Sequence, residues 1–233
     1  MKNIALITIL FVVLSCSKQT DTTLISPVTT PIPSDNFALD FNAFKWVHQP
    51  KLFNIQKDTI TITTDPNTDY WQRTYYGFQN DNAPTFVKNI IGDFTFSVRT
   101  DFDSKKQFDQ CGIIVYQDSE NWMKSSIEYE NETYSRLGSV ATNLGYSDWA
   151  TTDIPADTKT MWYRLSRRGQ DFFIETSKDG EHYIQLRVVH MHKPIDVAHV
   201  GIYACSPKSS SFQAVFSDFK LGNCLWKEHK SEE

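Results

Sequence analysis

The chain has 233 residues, of which 40% are hydrophobic, enough for one large β domain or two small ones, and disorder throughout is excluded. A formal net charge of −5 leaves no surplus of Lys and Arg to hold a phosphate backbone, so nucleic acid is not an expected partner. Aromatic residues at 14% suit strands and saccharide-stacking surfaces better than a helical bundle.

Residues 1–15 read as a signal peptide: Lys2 supplies positive charge and Ile4 to Leu14 is almost wholly apolar, too short a run to span a bilayer. Leu14-Ser15-Cys16-Ser17 resembles the bacterial lipobox, which makes Cys16 the expected lipidation site and new N-terminus. Each buried acyl methylene contributes about 0.8 kcal/mol, so acylation would hold the chain on a membrane without a transmembrane helix. The expected location is therefore the bacterial cell envelope, periplasmic or surface-exposed. Residues 16–34, rich in Thr, Ser and Pro, read as a flexible tether. Residues 35–226 read as one domain and 227–233 as a charged tail.

Within the domain the dominant signal is period-two alternation broken by turn residues. Thr59–Thr63 and Phe94–Val98 alternate cleanly, and Gly112–Tyr116 is an apolar run suited to a central strand. Trp162–Arg167, Phe172–Thr176, His199–Ala204 and Phe212–Phe219 continue the series, with Ser177-Lys178-Asp179-Gly180 as a hairpin turn between two of them. At least nine strands are expected, in an all-β jelly-roll sandwich of two antiparallel sheets.

Several segments resemble the successive signatures of one family. They are Asp69 to Phe78, Phe108 to Gly112, Asn121 to Tyr129, Ser147-Asp148-Trp149, Trp162-Tyr163-Arg164, Ser177 to Gly180 and Gly201 to Pro207. The family is an uncharacterised bacterial and fungal group whose fungal member is named for regulation of enolase. The resemblance implies a concanavalin A-like lectin/glucanase jelly roll, a fold shared by lectins, glycoside hydrolases and carbohydrate-binding modules, with no activity to carry over. Cys111 stands where that pattern expects a small residue such as Ala.

The same motifs have a physical reading of their own. On extended strands Trp122, Lys124, Ser126 and Glu128 share a face, as do Asp69, Trp71, Arg73 and Tyr75, and as do Trp162, Arg164 and Ser166. Aromatics beside charged groups offer a sugar flat surfaces for its C–H faces and partners for its hydroxyls. Trp71, Arg73, Trp122, Lys124, Glu128 and Arg164, with Asp148 and Trp149 from a loop, are the expected carbohydrate-binding residues on a concave face. The competing reading makes Lys124–Glu128 and Arg73–Glu128 cross-strand ion pairs on a solvated face, with the tryptophans packed between sheets.

Glu128 is also the candidate catalytic acid of a glycoside hydrolase, with Asp148 or Glu130 as its partner. Alternate carboxylates on a strand lie about 6.6 Å apart, within the roughly 5 to 9 Å that such pairs need. Glu132 falls in an apparent turn, Asn131-Glu132-Thr133, off that face. A structural or protein-binding lipoprotein is the third reading. No cofactor is expected and no metal site is assigned: His190 and His192 lack a third ligand, and Tyr70 stands where a calcium loop beginning at Asp65 would need Gly. A structural calcium ion elsewhere remains open. With Cys16 lipidated, Cys111, Cys205 and Cys224 allow one disulfide at most, Cys205–Cys224 or none.

Overall fold

The computed structural model describes residues 39–227; the expected signal peptide, Cys16 and the rest of the expected tether, and the tail from residue 228 lie outside them. A short 3-10 turn, Phe41–Ala43, leads into β1 (Phe44–His48), β2 (Leu52–Gln56), β3 (Thr59–Thr63), β4 (Tyr70–Gln72), β5 (Gln79–Asp81) and β6 (Thr85–Ile91). Next come β7 (Phe94–Phe102), β8 (Gln110–Asp118), β9 (Asn121–Tyr129), β10 (Tyr134–Asn143) and β11 (Tyr146–Pro155). The chain continues through β12 (Thr160–Arg168), β13 (Asp171–Ser177), β14 (Ile184–His190), β15 (Val197–Cys205) and β16 (Gln213–Gly222).

Two seven-stranded antiparallel sheets form the sandwich, ordered β1-β6-β15-β8-β9-β10-β11 and β14-β13-β12-β7-β16-β3-β2. Alternation decides which side chains meet between them. Phe94, Phe96, Val98 and Phe102 of β7, Met161, Tyr163 and Leu165 of β12 and Ile60 and Ile62 of β3 pack against Cys111, Ile113, Val115, Met123 and Ile127 of the facing sheet. Each large apolar side chain so buried contributes about 1.5–3 kcal/mol.

The first sheet is also apolar on its outer face, turned away from its partner. There Ile114, Trp122, Val140, Tyr203 and Cys205 form a second buried cluster with Tyr70. That is why Gly112–Tyr116 reads as a continuous apolar run: β8 is covered on both sides. The cover is a two-stranded ribbon of β4 and β5, paired from Tyr70↔Asp81 to Gln72↔Gln79.

Three sequence expectations change here. The segment from Asp69 to Tyr75 is not one strand, because β4 stops at Gln72 and Arg73 and Tyr75 turn with φ of 55° and 60°. Trp162–Arg167 belongs to the second sheet, so Arg164 cannot share a face with Glu128. The turn after Ser177 joins β13 to β14, a strand the alternation did not disclose. Cys111, Cys205 and Cys224 are free; Cys111 lies between the sheets, whereas Cys205 belongs to the outer cluster.

Two glycines allow the strands of the outer face to come close. A methyl group added at Gly112 would overlap the Ser125 carbonyl oxygen, and one added at Gly201 would overlap that of Phe86. Gly201→Ala should therefore destabilise the fold by about 1–3 kcal/mol. Urea unfolding would read this as a lowered midpoint at unchanged m-value; an unchanged midpoint would refute the close-approach account.

Candidate functional site

The ribbon is fastened to the sheet it covers. Tyr70 Oη and Thr85 Oγ1 share a hydrogen bond of 2.8 Å, and Tyr116 Oη donates to Asp81 Oδ2 at 2.9 Å. The Gln72 amide donates to Ser147 Oγ at 2.9 Å. Towards the β9–β10 turn the ribbon does not close fully on the sheet, and a cavity of about 360 Å³ remains. Trp71 and Trp149, 6.5 Å apart and edge to face, belong to its walls together with Tyr76, Phe78 and Phe108.

Its floor is polar. The Gln110 side chain is the centre of the network: its Oε1 accepts from Lys124 Nζ at 2.8 Å, Tyr203 Oη at 2.9 Å and Ser126 Oγ at 3.2 Å. Its Nε2 donates to Glu128 Oε2 at 2.8 Å. Lys124, only 4% exposed, has Asp69 Oδ1 at 4.0 Å as its counter-charge. Buried polar groups placed so close together must satisfy one another, because each unpaired group would carry its full desolvation penalty.

On the adjoining wall Arg136 Nη1 lies 3.4 Å from Glu130 Oε2, and the guanidinium sits 5.5 Å from the Trp149 ring centroid. Glu130 Oε1 accepts from Gln107 Nε2, whereas its Oε2 is buried without a hydrogen bond. Glu128 is the perturbed acid of the group. Burial pushes its carboxyl up to about 7, the charges of Asp69 and Glu130 add to the rise, and those of Lys124 and Arg136 oppose it. The cavity thus combines aromatic walls, a protonatable carboxyl, two further carboxylates and two compensated cations.

The expected binding residues divide. Trp71, Lys124, Glu128 and Trp149 line this cavity. Trp122 is 0% exposed and anchors the cluster beneath, its Nε1 donating to Ser119 O at 3.2 Å, so it presents no surface. Arg73 turns away to Glu120 at 2.6 Å and the Gly145 carbonyl at 2.8 Å instead of meeting Glu128. Asp148 is exposed and pairs with Arg187 at 3.0 Å, because alternation on β11 sends it to the opposite side from Trp149. Arg164 lies on the other sheet in a two-pronged pair with Glu175, both bonds 2.7 Å.

The sequence reading missed Gln110, Asp69 and Arg136 as members of the cavity. The register Arg136↔Glu128 follows from the turn at Asn131–Thr133, where Asn131 Oδ1 accepts from the amides of Thr133 and Tyr134. Counting outward from that turn would have found Arg136. Glu132 is exposed in the turn, off the cavity. Among the described residues, no group of three His, Cys, Asp or Glu could hold a metal ion, and His190 pairs with Asp171 at 2.6 Å.

The Glu128 carboxyl makes stability depend on pH. Raised from 4.5 to about 7, it binds a proton in the folded state that the unfolded chain releases, so stability falls as pH rises through that window. Glu128→Gln should remove the decline, matching the wild type at pH 4 and exceeding it by up to about 3 kcal/mol at pH 8. Urea unfolding at both pH values checks this, and parallel behaviour of the two proteins would contradict it.

Known proteins resemble the chain in sequence and in fold. Residues 46–224 match the family described as Protein of unknown function (DUF1349). Regulation of enolase protein 1 of Saccharomyces cerevisiae is 30% identical over 182 residues, which span 78% of this chain and 90% of that protein. The crystal structure of a functionally unknown protein from Saccharomyces cerevisiae superposes with a TM-score of 0.75 at 28% identity, over 81% of this chain and 100% of that one. The GH43 BlXynB protein from Bacillus licheniformis gives a TM-score of 0.62 at 15% identity, over 80% of this chain and 38% of that one, a likeness of fold. The chain is therefore a member of the DUF1349 family, built on a concanavalin A-like jelly-roll β-sandwich.

Proposed function

We propose that the chain is an exported, lipid-anchored, lectin-like module that binds carbohydrate in the cavity between the β4–β5 ribbon and the outer face of the first sheet. The observation that carries this reading is the composition of the cavity: two tryptophans on its walls above a floor of Gln110, Lys124 and Glu128. Its volume lies in the range of small-ligand sites. Sugars need apolar surface for their C–H faces and both donors and acceptors for their hydroxyls, and these residues supply all three. Anchoring rests on the Leu14-Ser15-Cys16 motif.

Affinity electrophoresis of the purified protein through gels containing plant, algal and host polysaccharides tests the binding. The wild type should be retarded by at least one polymer. Trp71→Ala and Trp149→Ala, with folds verified by circular dichroism, should run free, while Arg164→Ala on the other sheet should be retarded as the wild type is. Retardation that survives both tryptophan variants, or none on any polymer, would overturn the cavity reading and favour a protein-interaction role. For the anchor, Cys16→Ser should move the chain from the membrane fraction to the soluble one.

A hydrolase is the second reading, favoured by the raised carboxyl of Glu128 in a cavity it shares with Glu130. Asp148, on the opposite side of β11, drops out as a partner. Its readout is release of reducing ends from the retarding polymer, lost in Glu128→Gln.

A further inference from the structure

The turn that joins β4 to β5 carries aromatic side chains outward from the cavity. Trp71, on the wall, lies 5.4 Å from the Tyr76 ring and 6.5 Å from Phe78; Tyr76 and Phe78 stack at 5.6 Å with only 20° between their planes. Tyr75 follows, 5.0 Å from Tyr76, and is 94% exposed. These rings form one continuous track that begins at the cavity wall and ends in solvent. Monomeric proteins rarely display such connected apolar surface without a use for it.

The backbone holds the track in place. Tyr75 has φ of 60°, a left-handed conformation uncommon for a bulky residue. The turn is closed beneath it by hydrogen bonds from the Arg73 amide to Phe78 O at 2.9 Å and from the Gly77 amide to Arg73 O at 2.7 Å. Trp71 Nε1 donates to Thr74 O at 3.0 Å, tying the wall to the turn. The turn thus holds Tyr75 in that conformation with its ring in water.

We infer that this turn is an outer subsite for an oligosaccharide of uncharged sugars, whose end unit occupies the cavity and whose next units stack along Tyr76 and Tyr75. The inference rests on the reading of the cavity as a sugar site and extends it to ligand length and charge. Length follows from the geometry: the cavity holds a small ligand, and a longer chain leaving on this side passes over rings that share its apolar character. Charge follows from the ion pairs. Lys124 faces Asp69 at 4.0 Å and Arg136 faces Glu130 at 3.4 Å, so each cation lining the cavity already has its carboxylate and neither is committed to an acidic sugar. Glu128 adds a third carboxyl and no positive charge to meet a uronate.

Titration calorimetry of the full chain in a sugar-free detergent tests the inference with xylose, glucose and mannose oligomers of one to six units, and with galacturonate oligomers as the charged arm. For at least one neutral series, affinity should rise about tenfold between two and four units and then level off. Tyr75→Ala, which removes a fully solvated ring, should abolish that rise while leaving the affinity for the disaccharide unchanged. Affinity independent of length, a rise that persists in Tyr75→Ala, or galacturonate bound as tightly as the neutral oligomers would overturn the inference. Length-independent binding that Trp149→Ala still abolishes would remove the outer subsite and leave the cavity reading standing; no binding of any series would remove both.

Discussion

Gln110 ties three groups of one strand face, Lys124, Ser126 and Glu128, to Tyr203 of another strand. Its carbonyl oxygen gathers Lys124, Ser126 and Tyr203 from two neighbouring strands, and its amide nitrogen holds Glu128. Without that side chain an ammonium and a carboxyl would lie in a mostly apolar face with only a distant partner each, a situation that costs several kcal/mol per uncompensated ion. With it, a polar floor can be set into the outer face of a sheet whose centre is otherwise Ile114, Trp122, Val140 and Tyr203. The cavity exists because the ribbon closes on the apolar part of that face and not fully on the polar part.

Charge balance within the cavity follows from the same constraint. A buried lysine needs an acid nearby, and Asp69 provides it from the entrance to β4; Arg136 needs another, and Glu130 provides it from the end of β9. Glu128 is then the acid in excess, which is why burial and its two acidic neighbours keep it protonated to higher pH than an ordinary glutamate. A neutral carboxyl both donates and accepts, as a hydroxyl-rich ligand requires.

Much of the sandwich was legible because period-two alternation is a direct record of burial: Thr59–Thr63 and Phe94–Val98 lie in β3 and β7 as their pattern says. Alternation is silent on which sheet a strand joins, and that is how Arg164 was grouped with Glu128. It also fails where the backbone leaves the extended region, as at Arg73 and Tyr75, whose positive φ values no side chain in the sequence announces. Trp71 and Trp122 look alike in sequence, but one lines a cavity and the other fills the core beneath it; the distinction depends on a ribbon that only long-range packing sets down. Arg136 and Gln110 were both within reach, since each faces Glu128 across a hairpin of consecutive strands, although a bulge between Tyr116 and Asp118 shifts the count that leads to Gln110.

That sheet order separates the parts of the cavity in the time course of folding. β8, β9, β10 and β11 are consecutive in the chain and adjacent in the sheet, so the strands that carry Gln110, Lys124, Glu128, Arg136 and Trp149 form a meander closed by short turns. Short loops lose little entropy on closing. The ribbon bearing Trp71 comes from a separate stretch of chain, and Tyr203, which completes the floor, arrives on β15 from far downstream. Apart from Tyr203 the floor is a local structure and the roof a non-local one, and non-local pairing is the slow part of forming a β-sandwich. Assembly of the cavity therefore waits on the docking of two distant segments onto a meander that can form before them.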